Sequence, residues 1–267
     1  MTKSLKIRFS YRTGIFLLLL SILLIPSLGF TTPQHYLFTA ILSEHVTDAL
    51  VNYEGLCNDG RFLHYIDQLQ QIDPKQLDHN EQLAFWLNAY NAYTLKVICE
   101  NYPIKSINNL HRGGLALGSL LNKTVWDRKL ATIKNTQFSL NQIEHDILRK
   151  EFNEPRIHFA LVRAAKSCPP LRDEAYEADF IDYQLNDQGR IFFADYTKNR
   201  FDLKRKVAFI SKIFDWFKED FANIQEQLLL YLSKFLPEKL AQEIRQDAKS
   251  WKIKYLKYNW RLNDVKR

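Results

Sequence analysis

Residues 83–99 read LAFWLNAYNAYTLKVIC. Apolar side chains fall on every face of a 3.6-residue spiral, so the segment predicts a helix buried nearly all round. Asn88 and Asn91 interrupt it; three residues apart, they share a face, and buried amides need hydrogen-bond partners. They either tie down neighbouring loops or line a site. Asp78 and Glu81 form a capping-box pair just upstream, which gives Glu81 a structural explanation, and Pro103 stops the helix.

Working outward, helices are expected over about 36–52 and 61–71. Ser139 and Gln142 form a second capping box, opening a helix over 140–150 that carries Glu144 and His145. Residues 156–165 (RIHFALVRAA) fit a short strand or a helix equally. An acid-rich helix is expected from about Asp173 to Ala194. Further helices follow around 213–217, 225–235 and 237–247, and alternation in 251–255 predicts a terminal edge strand. Gly113, Gly114 and Gly118 lack the lysine and serine of a phosphate loop. The fold class is α+β, a helix-rich single domain around a small antiparallel sheet. With 46% hydrophobic residues, 8 glycines and 8 prolines, the chain cannot be mainly disordered, collagenous or a Gly-rich β repeat.

Lys3, Lys6, Arg8 and Arg12 precede an apolar run over 14–30, the n-region and h-region of an export signal. Cleavage behind Gly29 is one outcome and a retained anchor the other, so the folded part is expected outside the cytoplasm, periplasmic or secreted or anchored to the inner membrane. Removing those four charges takes the formal +7 to +3, too little to argue for nucleic acid. The remaining domains are expected as a helical extension over 30–80 and a core over 81–264. Of three cysteines, Cys57 and Cys99 are the disulfide candidates, the alternative being two buried inert thiols.

Cys168 stands between Ser167 and a Pro-Pro pair at an expected helix start, where backbone amides, Lys166 and Arg172 would lower its pKa and make it a nucleophile. His158 and His145 are the candidate bases, and His111 a weaker one. A His158–Cys168 pair requires a chain reversal around 163–167, because a straight strand would hold them more than ~20 Å apart. Glu144 is better aimed to orient His158 than its neighbour His145. The spacing of His145, His158 and Cys168 matches no compact zinc site, and no cofactor is expected.

The strings AFWLNAYNAYTLK, LNQIEHDILR, EPRIHFALVRAAKSCPPLR, ISKIFDWFKEDF and YLKYNWRLND together resemble the domain-of-unknown-function 547 family over about 81–264. The resemblance implies an exported or envelope-associated bacterial α+β protein, similar to papain-like and transglutaminase-like cysteine enzymes in a rearranged topology. It points to Cys168 and His158, then Glu144 and His145, with Asn88, Asn91 and Arg172 as substrate-binding or supporting residues. Arg163 departs from the small or neutral residue expected there. The function this implies is a cysteine-dependent hydrolase or acyltransferase acting on an amide of a small peptide or envelope protein. The alternative is a non-enzymatic envelope binding or scaffolding module using the same groove. Membrane contact is expected only through the amino-terminal segment.

Overall fold

The computed structural model describes residues 35–111 and 124–266, which belong to one compact unit, Thr31–Arg267. The expected export segment and the Gly113–Gly118 loop lie outside the described residues. Among the described residues no helix is long and apolar enough to cross a membrane.

Helix α1 (Tyr36–His45) ends earlier than the sequence suggested. Beyond His45 the chain enters strand β1 (Val46–Thr47), turns through Asp48 and Ala49 in the left-handed region, and returns as β2 (Leu50–Val51). Val and Thr side chains favour this pleated geometry over another helical turn. Asn52 then caps α2 (Tyr53–Asn58), its side chain accepting from the Gly55 amide. Helix α3 (Gly60–Gln71) follows, capped by Asp59.

Helix α4 (His79–Cys99) is the axis of the domain, and its residues 83–95 are all buried. The predicted capping box closes its start: Asp78 accepts from the Glu81 amide, and Glu81 accepts from the Asp78 amide. A disulfide joins Cys57 at the end of α2 to Cys99 at the end of α4. Closing a loop of that length removes roughly 4 kcal/mol of chain entropy from the unfolded state.

Strands β3 (Lys129–Ile133) and β4 (Thr136–Ser139) form an antiparallel hairpin through Lys134 and Asn135, both at positive φ. The second capping box also forms, with Ser139 and Gln142 exchanging side-chain to backbone hydrogen bonds. The helix it opens is π-helical over Gln142–Leu148. Downstream, β5 (Arg200–Asp202) pairs antiparallel with β6 (Val207–Ile210). The terminal strand β7 (Lys252–Tyr255) lies on the far edge of β6, as alternation suggested, but runs parallel to it. Among the described residues two strand pairs and one three-stranded sheet, rather than one central sheet, accompany a helical core.

The interior has two parts. The first cluster gathers α1–α4, including Phe38, Tyr65, Phe85 and Leu87, so residues of 36–71 belong to the same core as α4. Each such side chain stabilises the fold by about 1.5–3 kcal/mol relative to exposure. The second is built from phenylalanines of the C-terminal half, among them Phe192, Phe193, Phe214 and Phe235, with Trp251. The single helical turn Ile157–Ala160 bridges the two: Ile157 and Ala160 pack into the first and Phe159 into the second. His158 is therefore carried into the seam between them.

Candidate functional site

Residues 156–168 are neither one strand nor one helix. After the turn Ile157–Ala160 the chain extends, then reverses at Ala164, whose φ is 50°. This is the reversal that the His158–Cys168 separation demanded. Asn91 holds the extended part by donating to Ala160 O at 3.0 Å and accepting from the Val162 amide at 3.0 Å. Gln188 clamps the ends of the loop, donating to Phe159 O at 3.1 Å and to Pro170 O at 2.6 Å. The C-terminal motif closes the outside: Lys166 N donates to Arg261 O, and Asn259 N to Ser167 Oγ. Asn88 makes the matching double contact with Tyr176 N and O. Both asparagines thus tie loops by mimicking backbone pairing.

The reversal folds Cys168 against its own loop. Its Sγ accepts from the Arg163 amide at 2.9 Å and lies 3.7 Å from Leu161 O. The Tyr258 hydroxyl faces the sulfur from the C-terminal segment. Among the described residues no histidine is within hydrogen-bonding distance of the sulfur. The helix expected to begin at Asp173 instead begins at Ile181, after a 3₁₀ turn at Ala178–Phe180. Residues 173–177 are kept out of it because Asn88 pairs with Tyr176, while Gln184 bonds the Glu177 amide and Ala175 O. Cys168 therefore has no helix N-terminus to lower its pKa. Burial pushes the thiol up, and Arg163, through its charge and its amide, only partly offsets this.

The histidines belong to a different cluster. His158 is fully buried, with Nε2 2.6 Å from Asp220 Oδ2 and its ring stacked 4.0 Å from Phe217. Burial lowers its pKa, against the upward pull of Asp220 and Glu144, so the neutral ring donates from Nε2 and leaves Nδ1 unprotonated. Nδ1 has no hydrogen-bond partner and faces Glu144 Oε1 at 3.9 Å. Glu144 does approach His158 rather than its sequence neighbour, as its angular position on the helix suggested. Its principal partner is nevertheless Arg163, whose Nη2 donates to Oε1, while Tyr90 donates to Oε2 at 3.2 Å. Burial alone would raise the Glu144 carboxyl, but the Arg163 guanidinium holds it below its ordinary value.

Asp220 also receives Arg149 in a bidentate pair at 2.5 and 2.6 Å, and Arg149 reaches His145 Nδ1 at 2.9 Å. Arg163 and Arg149 each sit 5.2 Å from the Phe217 ring centre. Asp220 and Phe217 lie in the string ISKIFDWFKEDF and Tyr258 in YLKYNWRLND, yet nothing in their spacing marked them as partners of this cluster. His111 is elsewhere, its Nδ1 accepting from the Val125 amide at 3.1 Å. Metal-type ligands converge at Glu44, His45 and Asp59, but Arg61 already bonds both carboxylates.

Arg172 bonds Glu174 and Asp187 and lines a cavity of about 520 Å³, together with the β1–β2 turn, Pro170, Leu171 and Lys198. That cavity is the concavity adjoining the Cys168 loop.

Comparison with known families now has a structure to rest on. The family model described as "Protein of unknown function, DUF547" matches residues 74–193, and over this stretch the chain is similar to that family. The match includes α4, the π-helix and the Cys168 loop, and stops before Asp220 and Tyr258. No curated protein and no solved structure matches the chain.

Proposed function

We propose that this protein is a non-catalytic binding module of the cell envelope, in which the motif residues hold a fold and a groove for a peptide or envelope-protein partner. One observation carries this reading: the Cys168 sulfur is bonded to the Arg163 amide of its own loop, and among the described residues no histidine reaches it. A thiol hydrolase needs a sulfur within reach of an imidazole and open space for an acyl group. In this chain the sulfur is 2% exposed and bonded to its own loop, and His158 is engaged by Asp220. The cavity beside Pro170, Leu171 and Arg172 is the groove such a module would use. Export by residues 1–29, cleaved or retained, supplies the compartment, and the Cys57–Cys99 disulfide suits an oxidising one.

The test is the behaviour of Cys168. Iodoacetamide at neutral pH should modify it more slowly than an ordinary free thiol, and a folded Cys168→Ala or Cys168→Ser protein should keep its cellular role. Alkylation faster than a free thiol, or loss of the role in a folded Cys168→Ser protein, would restore the cysteine hydrolase.

A further inference from the structure

A second cavity, also of about 520 Å³, lies between the helix Ile181–Ala194, strand β5 and the start of the helix Glu238–Asp247. It shares no lining residue with the groove beside Cys168. Its wall is apolar and aromatic, with Phe201, Phe235, Leu236 and Leu240, and two arginines, Arg190 and Arg200, stand among them. No acidic side chain lines it. Its size falls within the range of small-molecule sites, which pair an apolar body with a few polar groups.

The two arginines differ from those of the motif cluster. Arg149, Arg156, Arg163 and Arg172 each bond a carboxylate. Among the described residues Arg190 and Arg200 have no carboxylate partner; the Arg200 guanidinium instead lies 4.4 Å from the centre of the Phe209 ring. A guanidinium fork on an apolar wall matches a carboxylate in charge and in donor geometry. A neutral apolar ligand would leave both cations unused, and a bare inorganic anion would leave the aromatic wall uncovered.

We propose that this cavity binds a small amphipathic anion, an unbranched acyl chain ending in a carboxylate, with the chain against Phe201, Phe235 and Leu240 and the carboxylate on Arg190 and Arg200. The site goes beyond the envelope-module reading and stands or falls apart from it.

The experiment is calorimetric titration of the full chain with dodecanoate below its micelle concentration. Dodecanol, inorganic phosphate and anionic phosphatidylglycerol vesicles serve as comparison probes. Saturable binding of one dodecanoate is expected, with dodecanol at least tenfold weaker and phosphate undetected. The variant Arg190→Gln/Arg200→Gln should lose at least tenfold toward dodecanoate while binding dodecanol as the parent does. Leu240→Glu, on a partly exposed wall position, should abolish both. Equal affinity for dodecanoate and dodecanol, or an unaffected arginine variant, would overturn the proposal. Binding to vesicles without binding to monomeric dodecanoate would do the same, by assigning the arginines to a lipid surface.

Discussion

The motif cluster and the cavity between residues 190 and 240 are both rich in arginine and aromatic rings, yet they treat charge in opposite ways. In the cluster Arg163 is buried on Glu144, and Asp220 takes both Arg149 and His158. Arg190 and Arg200 line the cavity beside Phe201 and Phe235 and, among the described residues, have no carboxylate partner. A buried charge is tolerated only when compensated, so the first arrangement is committed to holding the fold together. Cations at the rim of a concavity can stay hydrated and remain available for a ligand. The difference shows why residue type alone is a poor guide to function: the same side chain is structural in one place and receptive in the other.

The sharpest way to break this contrast is Glu144→Ala, which strands the Arg163 guanidinium in the interior. A loss of about 3–5 kcal/mol is expected in chemical denaturation. Because that variant can fail to accumulate, Glu144→Leu/Arg163→Met is its companion. Removing both charges should cost less than stranding one, and a Glu144→Ala protein within about 1 kcal/mol of the parent would show the pair to be dispensable.

Acid should act next. His158 and Glu144 both have folded pKa values below their ordinary ones. Each therefore contributes stability that is complete above its unfolded pKa and is lost as pH falls through the folded value. The same sign holds for His35, which burial lowers to about 4 and whose Nδ1 lies 2.8 Å from the Tyr65 hydroxyl. His35 alone accounts for roughly 3 kcal/mol between pH 7 and pH 4. Denaturation midpoints measured across that window should fall steadily. A flat profile would mean that these histidines are not buried in neutral form.

Smaller effects are expected on the cavity side. A Cβ added at Gly189 would lie 2.4 Å from Phe235 Cδ1, so Gly189→Ala must displace that ring. The cost should be about 1–3 kcal/mol, with weaker dodecanoate binding because Phe235 walls the cavity. Arg190→Gln and Arg200→Gln should each shift stability by no more than about 0.5 kcal/mol. A larger loss on thermal or chemical denaturation would show that they, too, serve the fold.

Much of the fold was legible in the sequence because it is written in local terms. The all-round apolar pattern of 83–99, the Asp78–Glu81 and Ser139–Gln142 caps and the alternation at 251–255 each depend on neighbours a few residues apart. The helical pattern of 36–52 breaks after His45, where two β-branched residues and a left-handed turn redirect the chain. The pattern that starts at Asp173 becomes helix only from Ile181, because what unwinds 173–177 is Asn88, far away in sequence.

By itself the sequence determined that this is a helix-rich α+β chain built on a buried helix, and it marked Asn88, Asn91, Glu144, His145, His158, Cys168 and Arg172 as its chemistry-bearing positions. Only the tertiary structure decided which of them meet. It turned Cys168 into its own loop, gave His158 to Asp220 and Glu144 to Arg163, and left Arg190 and Arg200 without an acidic partner among the described residues. The physical reason is that the partners of Glu144, His158 and Asn88 lie 19, 62 and 88 residues away along the chain, and local spacing does not encode those meetings.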